Sequence, residues 1–226
     1  MSKILEIFTQ ENILFMLEGV SISLLIATAC LILGTLIGML ISTMKISNNK
    51  FLKLIASVYV EVIRGTPMLL QLMFFYLVIP YLFLNIFNQA LDLSPVMLAI
   101  MAISINSGAY IAELFRSSIL SIDKGQWEAG ESLGLSRSQI LKKIILPQAV
   151  VRSIIPLANE YVTLIKDSSL GSVIGVVELL QVSKIIGTVN YNYVYPLLGA
   201  GVFYLIITLL ISYATSLLER RFITNA

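Results

Sequence analysis

Five long, nearly uninterrupted apolar runs constrain the fold of this chain more than any other feature. Each run reaches the ~20 residues that an α-helix needs to cross a hydrocarbon layer of ~30 Å. The runs cover approximately residues 19–44, 65–84, 95–115, 154–182 and 195–218. The sequence therefore predicts an all-α integral membrane protein, with five transmembrane helices in a single domain over residues 1–226.

The composition excludes a soluble helical domain. Hydrophobic residues make up 58% of the chain and charged residues only 12%, whereas ordinary globular proteins contain about 25% charged residues. The single cysteine, Cys30, and the absence of histidine exclude a disulfide framework, a haem with histidine ligands and the usual zinc sites. Cys30 is expected to face lipid or to fill a gap in the packing.

The distribution of basic residues predicts how the chain is oriented in the membrane. The connections that share one side are residues 45–53, 116–153 and 219–226, and those that share the other side are 1–18, 85–94 and 183–194. The first set holds eleven Lys and Arg residues, whereas the second holds only Lys3 and Lys184. Loops rich in Lys and Arg stay in the cytoplasm. We therefore expect the amino terminus outside and the carboxy terminus in the cytoplasm.

The long connection between the third and fourth runs predicts two short helices joined by a tight turn. The first helix would cover residues 126–133 and end before Gly134, because glycine readily adopts the left-handed conformation that follows a helix end. The second would begin with a capping box formed by Ser136 and Gln139, and Pro147 would end it. A cytoplasmic helical hairpin is the result.

This hairpin, within residues 123–149, has one apolar and one charged side, so it is expected to lie against another surface. The apolar residues are Leu133, Leu135, Ile140, Leu141, Ile144 and Ile145, and the charged ones are Glu131, Arg137, Lys142 and Lys143. The surface could be anionic lipid headgroups or a cytoplasmic protein partner. A DNA-binding helix-turn-helix is disfavoured, because nothing else in the chain forms a soluble basic surface.

The hairpin sequence resembles the EAA loop of the permease subunits of ATP-binding-cassette (ABC) importers. The matching positions are Glu128, Ala129, Gly134, Ile144, Leu146 and Pro147, all at the spacing of that motif. The one departure is Gly130, which stands where the motif usually has a second alanine. This substitution exchanges one small residue for another, so it weakens the resemblance little.

Three further motifs resemble the polar amino-acid importers within this family, the histidine, glutamine and arginine type. They are Arg64-Gly65-Thr66-Pro67 with Leu69, Leu70 and Gln71; Ser107 to Glu113 with Arg116; and Lys166-Asp167-Ser168-Ser169-Leu170, in which Ser168 replaces a threonine and keeps its hydroxyl. Gly125 and Gln126 also match, just ahead of the hairpin motif. The matches occur in the family's order and cover most of the chain.

The resemblance implies a type I ABC importer permease fold in a bacterial cytoplasmic membrane. It also implies that the hairpin is the coupling helix, which inserts into a groove of an ATP-binding subunit. By this resemblance the coupling contacts are Glu128, Ala129, Leu133 and Gly134. Small residues at such positions allow two backbones to approach closely.

The resemblance also implies several partners. We expect two copies of an ATP-binding subunit, a second permease chain as a homodimer or heterodimer partner, an extracytoplasmic substrate-binding protein, a polar amino acid and the lipid bilayer. The sequence has no G-x-x-x-x-G-K-[S/T] motif, so no P-loop holds ATP in this chain. ATP and Mg²⁺ would be bound by the partner ATPase, and this chain would be a non-catalytic subunit without a cofactor of its own.

The resemblance implies a substrate path between two permease copies, lined by spans two to four. Polar residues inside these apolar runs fit that expectation, because charge within a membrane is costly and usually functional. A zwitterionic amino acid needs donors for its carboxylate and acceptors for its ammonium group. The candidates for substrate binding are Asn106, Ser107, Glu113, Lys166, Asp167 and Ser168. Alternatively, Lys166 and Asp167 neutralise each other at a structural kink.

Two other features are expected to be structural. Glu61 and Arg64 are three residues apart, so on a helix they share a face and would form an ion pair or gate near the cytoplasmic side. Gly34 and Gly38 have the G-x-x-x-G spacing that allows close helix packing.

Two other classes of protein compete with an importer subunit. In an ion-coupled carrier or channel, the intramembrane charges would relay ions or protons, although such carriers usually have internal repeats, and none is found here. In a membrane scaffold or respiratory subunit, the polar residues would serve only for packing, and the EAA spacing would be a coincidence.

Overall fold

All regular secondary structure is helical in the residues that the structure describes, 7–223 of a computed structural model. The helices are α1 Gln10–Ile46, α2 Lys50–Gly65, α3 Met68–Phe87, α4 Pro95–Leu120, α5 Lys124–Ser132, α6 Arg137–Ile174, α7 Leu179–Val189 and α8 Val194–Ile223. Lys3 and the side chains of Arg220 and Arg221, which count toward the predicted orientation, lie outside the described residues.

Helix lengths and compositions agree with the predicted membrane protein. In the described part of the chain, α1, α3, α4 and residues Val194–Leu217 of α8 are long and apolar enough to cross a membrane. The pair formed by α6 and α7 passes the same test but bends by 49° at its break. The all-α membrane class is confirmed, with four spans, or five when the bent pair counts as one.

The first and third apolar runs form the closest helix pair, α1 with α4. A Cβ added to Gly38 would lie 2.6 Å from Ile111 Cγ2, and one added to Gly108 would lie 2.6 Å from Ile37 Cγ2. A Cβ on Gly34 would collide with Ser107. The close approach expected from the G-x-x-x-G spacing is therefore confirmed, because only glycine fits where these backbones meet.

The main core lies where α1, α3, α4 and α6 meet. Its fully buried side chains include Ile26 and Cys30 of α1, Leu72 of α3 and Ile165 of α6. Of the two expectations for Cys30, packing is the one observed, since the side chain is 0% exposed.

A separate helix that the sequence did not predict precedes the second apolar run, which itself forms α3. Residues 50–65 form the separate amphipathic helix α2, although the sequence assigned 45–53 to a connection. The break falls at Thr66 and Pro67, where the chain becomes extended before α3 begins. Proline disfavours the helical conformation of the residue before it, which accounts for this break.

Pro147 does not end its helix, contrary to expectation. A π-helical turn at Leu141–Ile145 precedes it, in which the Leu146 N–H donates to the Leu141 carbonyl, and α6 then continues to Ile174. Proline has no N–H and its ring crowds the carbonyl four residues back. A wider π-turn changes the bonding pattern just ahead of the ring. A second π-turn, Phe74–Val78, precedes Pro80 in the same way.

The fourth run changes geometry at the predicted polar interruption. The regular α-helix ends at Asp167, and residues Ser168–Ile174 form a 3₁₀-helix. The sharp bend follows at Gly175, whose φ of 85° lies in the left-handed region, before Glu178 caps α7. The 3₁₀ turns of this bent span, and the polar side chains at their start, therefore lie beside the main core.

Candidate functional site

The predicted hairpin forms with the expected turn and cap. Gly134 has φ 74°, and the Leu135 N–H donates to the Gly130 carbonyl at 3.1 Å. Both bonds of the capping box are present: the Ser136 N–H donates to Gln139 Oε1 at 2.8 Å, and the Gln139 N–H donates to Ser136 Oγ at 3.4 Å. The turn conformation and the capping box are therefore confirmed.

One side of the hairpin packs on the ends of the spans. Ile140 and Ile145 are fully buried against Ile119 and Ile122, which follow the end of the third run. Gly130 is buried as well, and a Cβ at this position would lie 2.7 Å from Ile140 Cγ1. The glycine that departs from the EAA pattern is thus required by the neighbouring isoleucine, because an alanine would not fit without movement.

The opposite side of the hairpin is exposed and carries all four predicted coupling residues. Glu128, Ala129 and Gly134 are exposed, and Leu133 is 78% exposed. Leu133, which the sequence assigned to the apolar side of the hairpin, is thus separated from Ile140 and Ile145, which pack on this chain. Leu133 follows the end of α5 and projects outward from the turn, so its apolar surface faces a potential partner.

Asn106 lies in a hydrogen-bonded network that joins three helices. Its Nδ2 donates to Gln71 Oε1 at 2.9 Å, and Gln71 Nε2 donates to the carbonyl of Ile63 at 2.8 Å and to Thr66 Oγ1 at 2.7 Å. Gln71 thereby ties the break between α2 and α3 to the middle of α4. Sequence reasoning identified the motif around Gln71 but did not assign it this role.

The predicted hydroxyl ligands are bonded within the protein. Ser168 is fully buried, and its Oγ donates to the Ile165 carbonyl at 2.7 Å. Ser107 Oγ lies 3.4 Å from the Cys30 carbonyl at the contact between α1 and α4. Serine hydroxyls that donate to backbone carbonyls keep lone pairs for a second partner. The side chain of Ser107 is nevertheless enclosed by the helix contact.

Glu113 is not brought together with the other substrate candidates. Its Oε2 accepts from Lys45 Nζ at 2.8 Å, and its Oε1 accepts from Nε and Nη2 of Arg116. Glu113 lies two helical turns, about 10 Å, from Asn106 along α4. Both oxygens of Glu113 are thus already engaged by cations of this chain.

Lys166 and Asp167 form no ion pair, since the two ion pairs in residues 7–223 both involve Glu113. Lys166 is exposed and Asp167 is half-buried. Glu160 lies seven residues before Asp167, so both carboxylates share one face of α6. The neighbouring Tyr161 hydroxyl is 2.9 Å from Thr28 Oγ1 of α1.

Sequence reasoning did not single out Glu160, although the signal was available. An acidic residue inside the fourth apolar run qualifies by the same rule that selected Asp167. The structure places it on the same face of α6 as Asp167.

The expected pairing of Glu61 with Arg64 is wrong. Neither residue takes part in an ion pair in the described structure; instead the Arg64 guanidinium lies 5.1 Å from the centre of the Tyr110 ring. Stacking of a cation on an aromatic face competes well with an exposed ion pair, whose contribution is small. A gating role for Glu61 and Arg64 stays a prediction.

Glu178 is a buried carboxylate that the sequence reasoning missed. It is 0% exposed and accepts from the Leu180 and Gln181 N–H groups at 2.9 and 2.8 Å and from the Tyr204 hydroxyl at 2.7 Å. Ser23 Oγ of α1 lies 3.4 Å away. Glu178 therefore caps α7 and links it to α1 and α8. A charge inside an apolar run was again the signal that could have found it.

The family model described as "Binding-protein-dependent transport system inner membrane component" matches residues 11–224. Among curated proteins, the glutamine transport system permease protein GlnP of Escherichia coli (strain K12) is 41% identical over 206 residues, which cover 91% of this chain and 92% of the relative.

Two solved structures have the same fold. A crystal structure of an amino acid ABC transporter with histidines superimposes with a TM-score of 0.86 at 36% identity and covers 93% of this chain and 95% of the other. An inward-facing structure of the MetNI methionine ABC transporter has a TM-score of 0.76 at 21% identity, covering 95% and 99%. At that lower identity the similarity concerns the fold alone.

Proposed function

Because the chain belongs to the family of inner membrane components of binding-protein-dependent transport systems, we propose that it is the permease subunit of an ATP-driven importer of a polar amino acid. Its relatives named for glutamine transport make glutamine the first substrate to test. The substrate would cross by alternating access, in which the path opens first to the outside and then to the cytoplasm. ATP and Mg²⁺ would be bound by a separate subunit.

The exposed side of the hairpin carries this proposal. The hairpin is fixed to the ends of the spans through Ile140 and Ile145, while Leu133 and Glu128 face outward. Leu133 is 78% exposed at a turn that this chain leaves uncovered, and a docked ATP-binding subunit would bury its apolar surface. The hairpin can thus move together with α4 and α6 when a docked ATP-binding subunit moves.

The substrate path is proposed to run beside the bent span. Asp167 and Glu160 share a face of α6, and the Asn106 network lies on the neighbouring helix α4. Carboxylates could accept hydrogen bonds from the ammonium group of an amino acid, and the Asn106 amide could bind its carboxylate. Lys166 would supply a further cation for that carboxylate.

The remaining partners belong to the same proposal. A second permease chain, identical or related, would complete the path, and an extracytoplasmic binding protein would deliver the substrate. The chain would lie in the cytoplasmic membrane of a bacterium with its amino terminus outside and its carboxy terminus inside. The excess of basic residues on the hairpin side supports this orientation.

Reconstituted transport tests the coupling role. In liposomes that contain the chain, its ATP-binding subunit and its binding protein, Glu128→Arg and Gly134→Trp should abolish ATP-dependent glutamine uptake and release the ATPase from control by the binding protein. Glu219→Arg reverses an exposed charge outside the hairpin and should leave uptake unchanged. Full uptake by both hairpin variants would contradict the proposal.

Two further measurements distinguish the substrate path from the coupling surface, and an ATP-driven importer from an ion-coupled carrier. Asp167→Asn should raise the KM for substrate while the ATP-binding subunit still co-purifies with the chain. A protonophore should leave uptake intact as long as ATP is present. Loss of uptake with the protonophore at constant ATP would instead identify an ion-coupled carrier.

A further inference from the structure

A basic cleft lies on the side of the protein that carries most of its Lys and Arg residues. It has a volume of about 410 Å³ and is formed by the end of α1, the start of α2 and the end of α4. Three cations line it, namely Lys45, Lys53 and Arg116, together with the apolar side chains of Ile46 and Leu120. Ile46 also packs in the cluster that holds the hairpin, but no residue of the hairpin or of the proposed substrate path lines the cleft.

The charges of the cleft are not balanced by the protein. Glu113 accepts from Lys45 and from Arg116, so one carboxylate serves two cations. Lys53 takes part in neither of the two ion pairs found in residues 7–223. No acidic side chain is among the residues that line the cleft. The cleft therefore keeps an excess of positive charge that an anion would neutralise.

The start of α2 strengthens this positive field. Lys53 lies in the first turn of the helix, which contains no acidic residue. The amino-terminal end of a helix carries a partial positive charge, so a lysine there is unfavourable without a nearby anion. Asn49 Oδ1 already accepts from the N–H groups of Phe51 and Leu52. An anion in the cleft would therefore be held by side chains rather than by these amides.

The surroundings of the cleft are those of a membrane surface. Leu120 lines the cleft and is 62% exposed, and on α2 the side chains of Phe51 and Leu54 are 67% and 61% exposed. Apolar side chains exposed beside lysines are typical of the boundary between acyl chains and headgroups. We propose that the cleft binds the phosphodiester headgroup of an anionic phospholipid, with Lys45, Lys53 and Arg116 around the phosphate and Leu120 against the lipid chains.

Titration of the purified full-length chain in detergent with phosphatidylglycerol, followed by native mass spectrometry of the retained lipid, tests this site. The wild-type chain should retain phosphatidylglycerol more tightly than phosphatidylcholine, whose choline group compensates the phosphate charge. Lys53→Gln should weaken retention about fivefold, equivalent to the ~1 kcal/mol that one lysine contributes near an anionic lipid surface. Lys53→Arg should restore it.

Lys50→Gln is the matched control, because Lys50 is exposed on the same helix but does not line the cleft. It should leave retention unchanged. Equal weakening by Lys50→Gln and Lys53→Gln would indicate attraction to the general surface and overturn the site. Displacement of the lipid by an equal concentration of inorganic phosphate would overturn the lipid assignment in favour of a free anion, and equal retention of phosphatidylcholine would also refute it.

Discussion

At the scale of single residues, the informative side chains are charged groups inside apolar segments. Burial of a carboxylate is costly unless hydrogen bonds compensate for the lost water. Glu178 receives such bonds from two backbone N–H groups of α7 and from Tyr204, whereas Asp167 makes no side-chain hydrogen bond within the described residues. Glu178 is thus built into the fold, whereas the Asp167 carboxylate keeps its acceptor capacity for another partner.

Removal of the Glu178 carboxylate should destabilise the bent span. We expect Glu178→Ala to lower the free energy of unfolding by about 2–4 kcal/mol, because a helix cap worth about 1 kcal/mol is lost and buried donors left without partners cost about 1–3 kcal/mol. Glu178→Gln should cost less, since its amide oxygen still accepts. Denaturation in detergent measures both, with the exposed Glu18→Ala as a control. Equal stability of Glu178→Ala and Glu18→Ala would contradict this.

At the scale of elements, glycine and proline set the shapes of the helices through their neighbours. Gly130 makes room for Ile140 across the hairpin. The π-turns ahead of Pro80 and Pro147 keep long helices continuous where proline would otherwise end them. The effect of the glycine depends on the residue that it faces, and the effect of each proline depends on the π-turn that precedes it.

The contact between Gly130 and Ile140 predicts a coupled pair of mutations. Gly130→Ala, which restores the usual EAA residue, should destabilise the chain by about 1–3 kcal/mol, because its Cβ would overpack against Ile140. In an Ile140→Ala background the same change should cost little or nothing, so the two effects should not add. Unfolding measurements on the wild type, the two single variants and the double variant complete this double-mutant cycle. Additive effects would show that the two positions are independent.

The packing of α1 on α4 predicts a contrast between two glycines. Gly38→Ala should destabilise the chain by about 1–3 kcal/mol through overpacking, because its Cβ would lie 2.6 Å from Ile111 Cγ2. Gly201→Ala should be neutral or slightly stabilising, since nothing lies within 4 Å of its Cβ position. Thermal unfolding in one detergent compares them. Similar loss of stability in both variants would disprove the close contact.

At the scale of the whole molecule, the spans differ in how much of their surface the chain itself covers. Within the described residues, α4 is mostly buried, whereas few residues of α3 and α8 are buried and about half are exposed. Lipid or another protein chain must cover the exposed faces of these two helices. The hairpin and the loop before α8 are expected on opposite sides of the membrane.

Cysteine labelling tests that orientation. In intact spheroplasts, a membrane-impermeant maleimide should label Tyr191→Cys, since Tyr191 is 96% exposed before α8 and lies on the predicted outer side. Leu133→Cys should be labelled only after permeabilisation. The wild-type chain should stay unlabelled, because Cys30 is 0% exposed. The reverse labelling pattern would invert the topology.

Local sequence patterns alone determined the membrane class, the apolar runs and the hairpin with its Gly134 turn and Ser136 cap. These features depend on the length of a segment or on residues three or four apart in the sequence. The regular geometry of a helix fixes how such residues lie relative to each other. The structure alone decided that Gln71 bonds to Asn106, that Glu113 pairs with Lys45, that Arg64 stacks on Tyr110 and that Pro147 stays within a helix. The first three depend on contacts between distant parts of the chain, and the last on a π-turn whose wider bonding accommodates the ring. The packing of helices fixes those distances, and no local spacing specifies them.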